Sequence, residues 1–212
     1  MKKLAIILTL LCAAAFAQKG TFTDSRDGKK YNTIKIGKQT WMAQNLNYKP
    51  EASSWCYENN EDNCEKYGRL YTNEIAGKVC PAGWHLPSYE EWEKLNQTVG
   101  TKKKEKVQYG PGAWNWEFVY VGAGKKLKTK SGWNKRDDGK NGNGTDNNGF
   151  AALPAGLSFA QGKFGFIGII ACWYGENGGA TIYNDDDNLS LEGCGIYGSP
   201  DPEGRSVRCI KD

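Results

Sequence analysis

The cysteines constrain this chain of 212 residues more than any other feature. Its first residues combine two lysines, a short apolar run from Leu4 to Leu11 and the triplet Ala15-Phe16-Ala17. This pattern is typical of a secretory signal peptide that is cleaved after Ala17, and the run is too short for a membrane span, which needs about 20 residues. Cleavage leaves an even set: Cys56, Cys64, Cys80, Cys172, Cys194 and Cys209. An even set in an exported chain indicates a disulfide framework, since an oxidising compartment keeps such bonds closed.

Cys12 offers an alternative, because a lipoprotein signal would be acylated at this residue instead of being cleaved after Ala17. Leu11 stands where such a site requires a small residue, which favours the secretory interpretation. We therefore expect residues 1–17 to be removed and residues 18–212 to form a single exported domain.

The charge of the mature chain argues against nucleic acid as its partner. Without Lys2 and Lys3, 26 of the 28 basic residues remain against 24 acidic ones, a net charge of +2. Nucleic-acid binding needs a focused basic field, and the lysines cluster only near 102–106 and 125–130, in glycine-flanked stretches that we expect to be solvated loops. No second apolar segment reaches membrane-spanning length, so no membrane span is expected either.

Short elements dominate the pattern of the chain. Alternating residues around Gly37-Lys38 predict a β-hairpin over about 31–42. The main helix is predicted over about 88–99, where Ser88 and Glu91 form a capping box. Short apolar runs after residue 150 predict the strands of a small twisted sheet. With 27 Gly, 8 Trp and 11 Tyr, the composition suits a loop-rich α+β domain that disulfides brace.

Several ordered motifs resemble a known family. They are Asp27 to Tyr31, Ile36 to Tyr48, Tyr67 to Tyr71, Cys80 to Ser88 with Glu91-Trp92, Gly149 to Gly156, and Ser206 to Cys209. Together they resemble the Fibrobacter succinogenes major paralogous domain, a family of exported bacterial proteins, over residues 22–212. The Gly83 to Ser88 segment is also similar to the core segment of formylglycine-generating-enzyme-like domains. The resemblance implies a C-type-lectin-like fold, with the main helix on an irregular twisted antiparallel sheet and long loops.

The resemblance further implies a disulfide pairing and a location. Cys80 precedes the main helix and Cys209 lies in the last strand, so in this fold the two would tie its chain ends together. The implied pairs are Cys56–Cys64, Cys80–Cys209 and Cys172–Cys194, one of fifteen pairings that six cysteines allow. The implied location is secreted, periplasmic or on the cell surface of a Gram-negative bacterium.

Candidate catalytic residues are few. His85 is the only histidine, and its context favours a packed, hydrogen-bonded role over acid–base catalysis. Formylglycine-generating enzymes use free cysteines, whereas all six mature cysteines here can pair. We expect no catalytic residue and a non-catalytic binding module for a polysaccharide or a cell-surface protein. The alternatives are a diverged formylglycine-generating-enzyme-like enzyme and a structural protein of the cell envelope.

Aromatic residues supply the candidate ligand site. Trp114 and Trp116, together with Trp173 and Tyr174, are predicted to form a platform on which sugar rings stack. The alternative is that Trp114 and Trp116, which share one face of an alternating strand, belong to the core.

Acidic residues supply the candidate metal site, and calcium is the one cofactor that the sequence leaves open. Asn184, Asp185, Asp186 and Asp187 offer clustered oxygen ligands of the kind that calcium prefers. The loop with Asp137, Asp138 and Asp146 offers a second cluster. Solvated turns are the alternative for both segments.

Overall fold

A computed structural model describes residues 18–108, 114–191, 193–194 and 203–212, with the side chains of 104–108 and 114–119 left out. The expected signal peptide, residues 1–17, lies outside the described residues. Within these ranges the chain forms short strands and short helices joined by ordered loops. No helix in them is long and apolar enough to cross a membrane.

The elements are numbered in chain order. The strands are β1 (Gln18–Thr23), β2 (Lys30–Ile36), β3 (Gln39–Met42), β4 (Ser54–Trp55), β5 (Leu70–Tyr71), β6 (Trp84–His85), β7 (Thr101–Gln108), β8 (Trp114–Val121), β9 (Ala155–Phe159), β10 (Lys163–Ile167), β11 (Ile170–Gly175), β12 (Gly178–Tyr183), β13 (Arg205–Ser206) and β14 (Ile210–Lys211). The α-helices are α1 (Glu61–Tyr67), α2 (Asn73–Ala76), α3 (Tyr89–Val99) and α4 (Ala123–Leu127).

Two five-stranded sheets organise these elements. The first has the strand order β1-β2-β3-β14-β6, and the second has the order β12-β11-β13-β5-β4. The pairs β9–β10 and β7–β8 form two small additional sheets. Pairing between the named strands is antiparallel except between β11 and β13. The α+β class that the sequence predicts is therefore confirmed.

The predicted hairpin and the predicted main helix are both present. Strands β2 and β3 pair with Ile34 opposite Trp41, and the turn between them includes Gly37 at φ +61, which favours glycine. Helix α3 begins with the predicted capping box: the Ser88 hydroxyl accepts the Glu91 N–H at 3.3 Å, and Glu91 Oε2 accepts the Ser88 N–H at 2.9 Å. Local sequence signals were sufficient for both elements.

The two lysine-rich stretches are not solvated loops, so that prediction is wrong. Residues 101–108 form strand β7, which pairs along its whole length with β8. Residues 123–127 form helix α4, and Lys128 immediately after it is fully buried. The backbone of β7 is paired with β8, and a lysine-rich composition does not indicate such pairing.

Four large aromatic side chains join the two sheets. Trp92 on α3 lies 4.7 Å from the ring of Trp41 on β3 and 5.7 Å from the ring of Trp173 on β11, measured between centroids. Phe150 packs edge-on against Trp173 at 5.8 Å. All four are buried, so α3 contributes to one core that lies between the sheets.

Three disulfides lie within the described ranges: Cys56–Cys64, Cys80–Cys209 and Cys172–Cys194, with Cα–Cα distances of 4.9, 5.9 and 6.0 Å. These are the same pairs that the family resemblance implies. The Cys80–Cys209 bond links positions 129 residues apart in sequence and attaches the carboxy-terminal segment to the loop before β6.

Candidate functional site

Trp173 and Tyr174 do not form a sugar-stacking platform, so this part of the prediction is wrong. Trp173 is 0% exposed and Tyr174 is 5% exposed, which leaves no open ring face for a ligand. The reason is that β11 lies between β12 and β13 in its sheet, and the core covers it. Trp114 and Trp116 lie on strand β8, but their side chains are outside the described residues, and their role stays a prediction.

Three of the four residues predicted as calcium ligands contact other protein groups. The Asn184 amide donates to the Lys135 carbonyl at 2.7 Å, and Asp186 Oδ1 accepts the Asn188 N–H at 2.9 Å. Asp187 forms an ion pair of 3.2 Å with Arg136. The carboxylates of Asp185, Asp186 and Asp187 do not converge on one point. The predicted ligand set is therefore wrong, because its three carboxylates do not share one point and Asp187 faces Arg136 instead.

The second acidic loop is organised in the same way. Asp138 pairs with Lys140 at 2.8 Å, and Asp146 Oδ1 accepts the Ala151 N–H at 2.9 Å. Among the described residues, Cys56, Glu61 and Cys64 are the one set of three potential metal ligands that converge. The two sulfurs are bonded to each other, so this set does not bind a metal as thiolates.

A buried polar group, which we call the Asn45 hub, consists of Asn45, Trp173 and Arg208. Asn45 Oδ1 accepts three hydrogen bonds: from Trp173 Nε1 at 2.8 Å, from Arg208 Nη2 at 2.7 Å and from Arg208 Nε at 3.1 Å. Arg208 is fully buried, and its guanidinium lies 4.4 Å from the ring centroid of Phe150. Burial lowers the pKa of Arg208 to about 9, so the group stays a cation at neutral pH.

The Asn45 hub fixes the loop that follows β3. The Asn45 amide nitrogen donates to the Tyr67 carbonyl at 2.8 Å and to the Ser206 hydroxyl at 3.2 Å. The loop, the end of α1 and the carboxy-terminal segment thereby meet at one side chain. Asn45 also lines the cavity described next and forms part of its floor.

Two adjoining cavities of about 390 and 300 Å³ open beside the Asn45 hub, and small-molecule sites usually have volumes of about 300–1,000 Å³. Both are lined by Asn32, Ala43 and Ala151, so they form one continuous surface, which we call the amide cleft. Its lining residues come from five segments of the chain: 19–20, 29–34, 43–47, 64–68 and 146–153.

Polar groups of the amide cleft are held in place by hydrogen bonds at its edge. Gln44 Oε1 accepts the Asn32 N–H at 2.7 Å, and Lys29 Nζ donates to the Asn47 carbonyl at 2.6 Å. The Asn47 amide nitrogen donates to Glu65 at 3.2 Å, while its Oδ1 atom is buried without a hydrogen-bond partner. This oxygen is covered by the protein, so the amide groups that remain open to a ligand are the exposed side chains of Asn32 and Gln44.

Sequence reasoning missed the amide cleft because its segments are far apart in the chain. Each was noticed only as part of a motif: Lys29 to Tyr31, Ala43 to Asn47, Tyr67-Gly68 and Gly149 to Leu153 all belong to the strings that carry the family resemblance. The available signal was the amide-rich run Gln44-Asn45-Leu46-Asn47, which follows a buried strand and contains more amide groups than a simple turn needs.

His85 lies in a second groove of about 490 Å³, the His85 groove, which Trp84, Leu86 and Glu176 also line. Its Nδ1 atom is 2.7 Å from Asp212 Oδ1, and its Nε2 atom is 3.0 Å from both oxygens of Glu91. Partial burial acts to lower the pKa of His85, but these hydrogen bonds to Asp212 and Glu91 outweigh it and raise the pKa. The imidazole thus connects β6 to α3 and to the residue after β14.

Comparison with known proteins identifies the family. No curated protein and no solved structure matches this chain. The family model described as the Fibrobacter succinogenes major domain matches residues 34–211, a range that includes the Asn45 hub and the 43–47, 64–68 and 146–153 segments of the amide cleft. The chain therefore belongs to the Fibrobacter succinogenes major domain family.

Proposed function

We propose that this protein is an exported, non-catalytic binding module that holds a polysaccharide in the amide cleft. The observation that carries the proposal is the convergence of five chain segments on one open cavity, at which the side-chain amides of Asn32 and Gln44 are exposed.

The chemistry of the amide cleft suits sugar hydroxyls. Each hydroxyl is both a donor and an acceptor, and an amide side chain presents both functions in one plane. The side chains of Asn32 and Gln44 are exposed at the cavity, so their remaining hydrogen-bonding capacity is accessible to a ligand. The Asn45 hub beneath them keeps the floor rigid, which lowers the entropy cost of binding.

A non-catalytic role is supported by how the reactive side chains are used. The six cysteines from Cys56 onward are paired in disulfides, so none of them offers the free thiol of a formylglycine-generating enzyme. Both ring nitrogens of His85 already face a carboxylate, Asp212 or Glu91. Neither nitrogen is placed to exchange a proton with a substrate.

Export and a C-type-lectin-like arrangement belong to the same proposal. The signal-peptide pattern of residues 1–17 and the three disulfides support a secreted, periplasmic or surface location in a Gram-negative bacterium. The position of α3, which follows the Gly83 to Ser88 segment and packs between two sheets, supports the lectin-like arrangement.

Calorimetry of residues 18–212 against soluble glycans tests the proposal. We expect binding of at least one oligosaccharide among cello-, xylo- and galacturono-oligomers. Gln44→Ala and Asn32→Ala should each weaken it by roughly 2- to 12-fold, the equivalent of one hydrogen bond. The matched control is Glu176→Gln in the His85 groove, which should bind normally. A flat response to every glycan, or a loss confined to Glu176→Gln, would refute the proposal.

A further inference from the structure

We propose that the polysaccharide bound in the amide cleft is a polyanion that carries carboxylate or sulfate groups along its length, an inference that rests on the proposed function. The lining of the amide cleft includes four lysines, Lys19, Lys29, Lys30 and Lys66, against two acidic residues, Glu65 and Asp146. This excess of two positive charges equals the net charge of the whole mature chain, so the cleft is more basic than the surface around it.

The acidic residues of the amide cleft are already engaged by protein groups. Glu65 accepts the Asn47 amide at 3.2 Å. Asp146 accepts the Ala151 N–H at 2.9 Å and is only partly exposed, beside the Arg208 cation. Burial raises the pKa of Asp146 above its ordinary value. Glu65 is exposed and Asp146 is partly buried, so the four lysines still outnumber the acidic residues of the lining by two.

The lysines, by contrast, remain accessible to a ligand. Lys30 and Lys66 are exposed, and neither belongs to any of the described ion pairs. Lys66 Nζ lies 4.7 Å from the ring centroid of Tyr67, which holds this cation at the rim of the cavity. Lys29 is more engaged, because it donates to the Asn47 carbonyl and lies 4.0 Å from Asp27 Oδ2.

The distribution of these charges distinguishes a polymer from a small anion. Lys19 lines one cavity, while Lys29, Lys30 and Lys66 line the other, and the two cavities meet at Asn32, Ala43 and Ala151. A single carboxylate or phosphate would require cations that converge on one point. Cations spread along a continuous cleft are suited to anionic groups that repeat along a chain.

The lining also favours a sugar polyanion over a nucleic acid. Single-stranded nucleic acids are held by aromatic rings on which bases stack. Among the described residues, Tyr89 is the one large hydrophobic side chain that is clearly exposed, and it lies on α3 outside the cleft. Tyr31 and Tyr67, which line the cleft, are 3% and 8% exposed. The groups of the amide cleft that can contact a ligand are therefore amides, which suit sugar hydroxyls, and lysines, which suit carboxylates of the polymer.

Polygalacturonate and its methyl ester are the matched probes, because esterification removes the charge and keeps the backbone. By calorimetry in low salt, we expect the acid to bind at least about 10-fold more tightly than the ester. Lys30→Gln and Lys66→Gln should each weaken binding of the acid by roughly 1.5- to 5-fold, typical of an exposed ion pair, and leave the ester unchanged. The control is Lys163→Gln, an exposed lysine on β10 outside the cleft. Added salt should weaken binding of polygalacturonate and not of its methyl ester, because salt screens only the charged polymer.

The outcomes separate this proposal from the one on which it rests. Equal affinity for acid and ester, with Gln44→Ala still weaker and the lysine variants unchanged, would overturn the polyanion and keep polysaccharide binding. No binding of either polymer, with a cello- or xylo-oligomer still bound, would overturn the polyanion alone, whereas no binding of any of these glycans would overturn both. Tighter binding of a single-stranded oligonucleotide than of polygalacturonate would also overturn the polyanionic sugar.

Discussion

Replacement of Asn45 by alanine should destabilise the protein severely, because one side chain satisfies two buried donor groups. The substitution leaves Trp173 Nε1 without an acceptor and removes two hydrogen bonds from Arg208. An orphaned buried donor costs about 1–3 kcal/mol, and a hydrogen bond to a charged group contributes about 1.5–3 kcal/mol. We therefore expect the free energy of unfolding to fall by roughly 3–6 kcal/mol.

Urea denaturation with the disulfides intact, followed by tryptophan fluorescence, measures this change. Since domains have about 5–15 kcal/mol of stability in total, Asn45→Ala should lose a large fraction of it and unfold at a clearly lower urea concentration. Asn32→Ala is the matched control, since that side chain is exposed on β2, and it should change stability by less than about 0.5 kcal/mol. A loss below about 1 kcal/mol for Asn45→Ala would refute the argument, because Arg208 would then be compensated by other groups.

Three further predictions concern stability. In the chain-entropy model, a disulfide that closes a loop of 129 residues stabilises by about 5 kcal/mol, and one that closes a loop of 8 residues by about 2.5 kcal/mol. The double variant Cys80→Ser/Cys209→Ser should therefore lower the melting temperature more than Cys56→Ser/Cys64→Ser. The reverse order would contradict this prediction. His85 has a raised folded pKa, so its stabilisation is complete below its ordinary pKa of about 6.5 and is lost as pH rises through the folded value. The free energy of unfolding should therefore decline above about pH 6.5 in the wild type and not in His85→Gln, as urea titrations at several pH values will test. Gly68→Ala should lower the free energy of unfolding by roughly 2–4 kcal/mol in the same urea assay. Gly68 has a φ of +79, and an added Cβ atom would lie 2.7 Å from the Asn45 Cβ. An unchanged free energy of unfolding would contradict this steric argument.

The parts of the fold that the sequence predicts correctly are those with local signals. The capping box at Ser88 and the turn at Gly37 each lie within a few residues of the element that they define. The family resemblance adds long-range information, such as the Cys80–Cys209 pair. The errors come from what surrounds an element: residue type alone does not distinguish a ligand-binding Trp173 from a core one, and neighbouring strands and α3 cover its ring.

The amide cleft was beyond sequence reasoning for a related reason. Its segments are separated by up to about 80 residues of chain, and the Asn45 hub that brings them together depends on a partner, Arg208, that is 163 residues away. A buried arginine without a carboxylate partner has no recognisable sequence pattern. The asparagine that satisfies it looks like one more loop residue until the structure places them in contact.

Hydrogen exchange of residues 18–212 with and without polygalacturonate, read by mass spectrometry, tests the central claim most directly. If the amide cleft holds the polymer, backbone amides in 29–34, 43–47 and 64–68 should exchange more slowly in its presence, and Lys30→Gln/Lys66→Gln should reduce that protection. The His85 groove, represented by residues 73–86, should be unaffected. Protection confined to the His85 groove, or no protection at saturating polymer, would contradict the account.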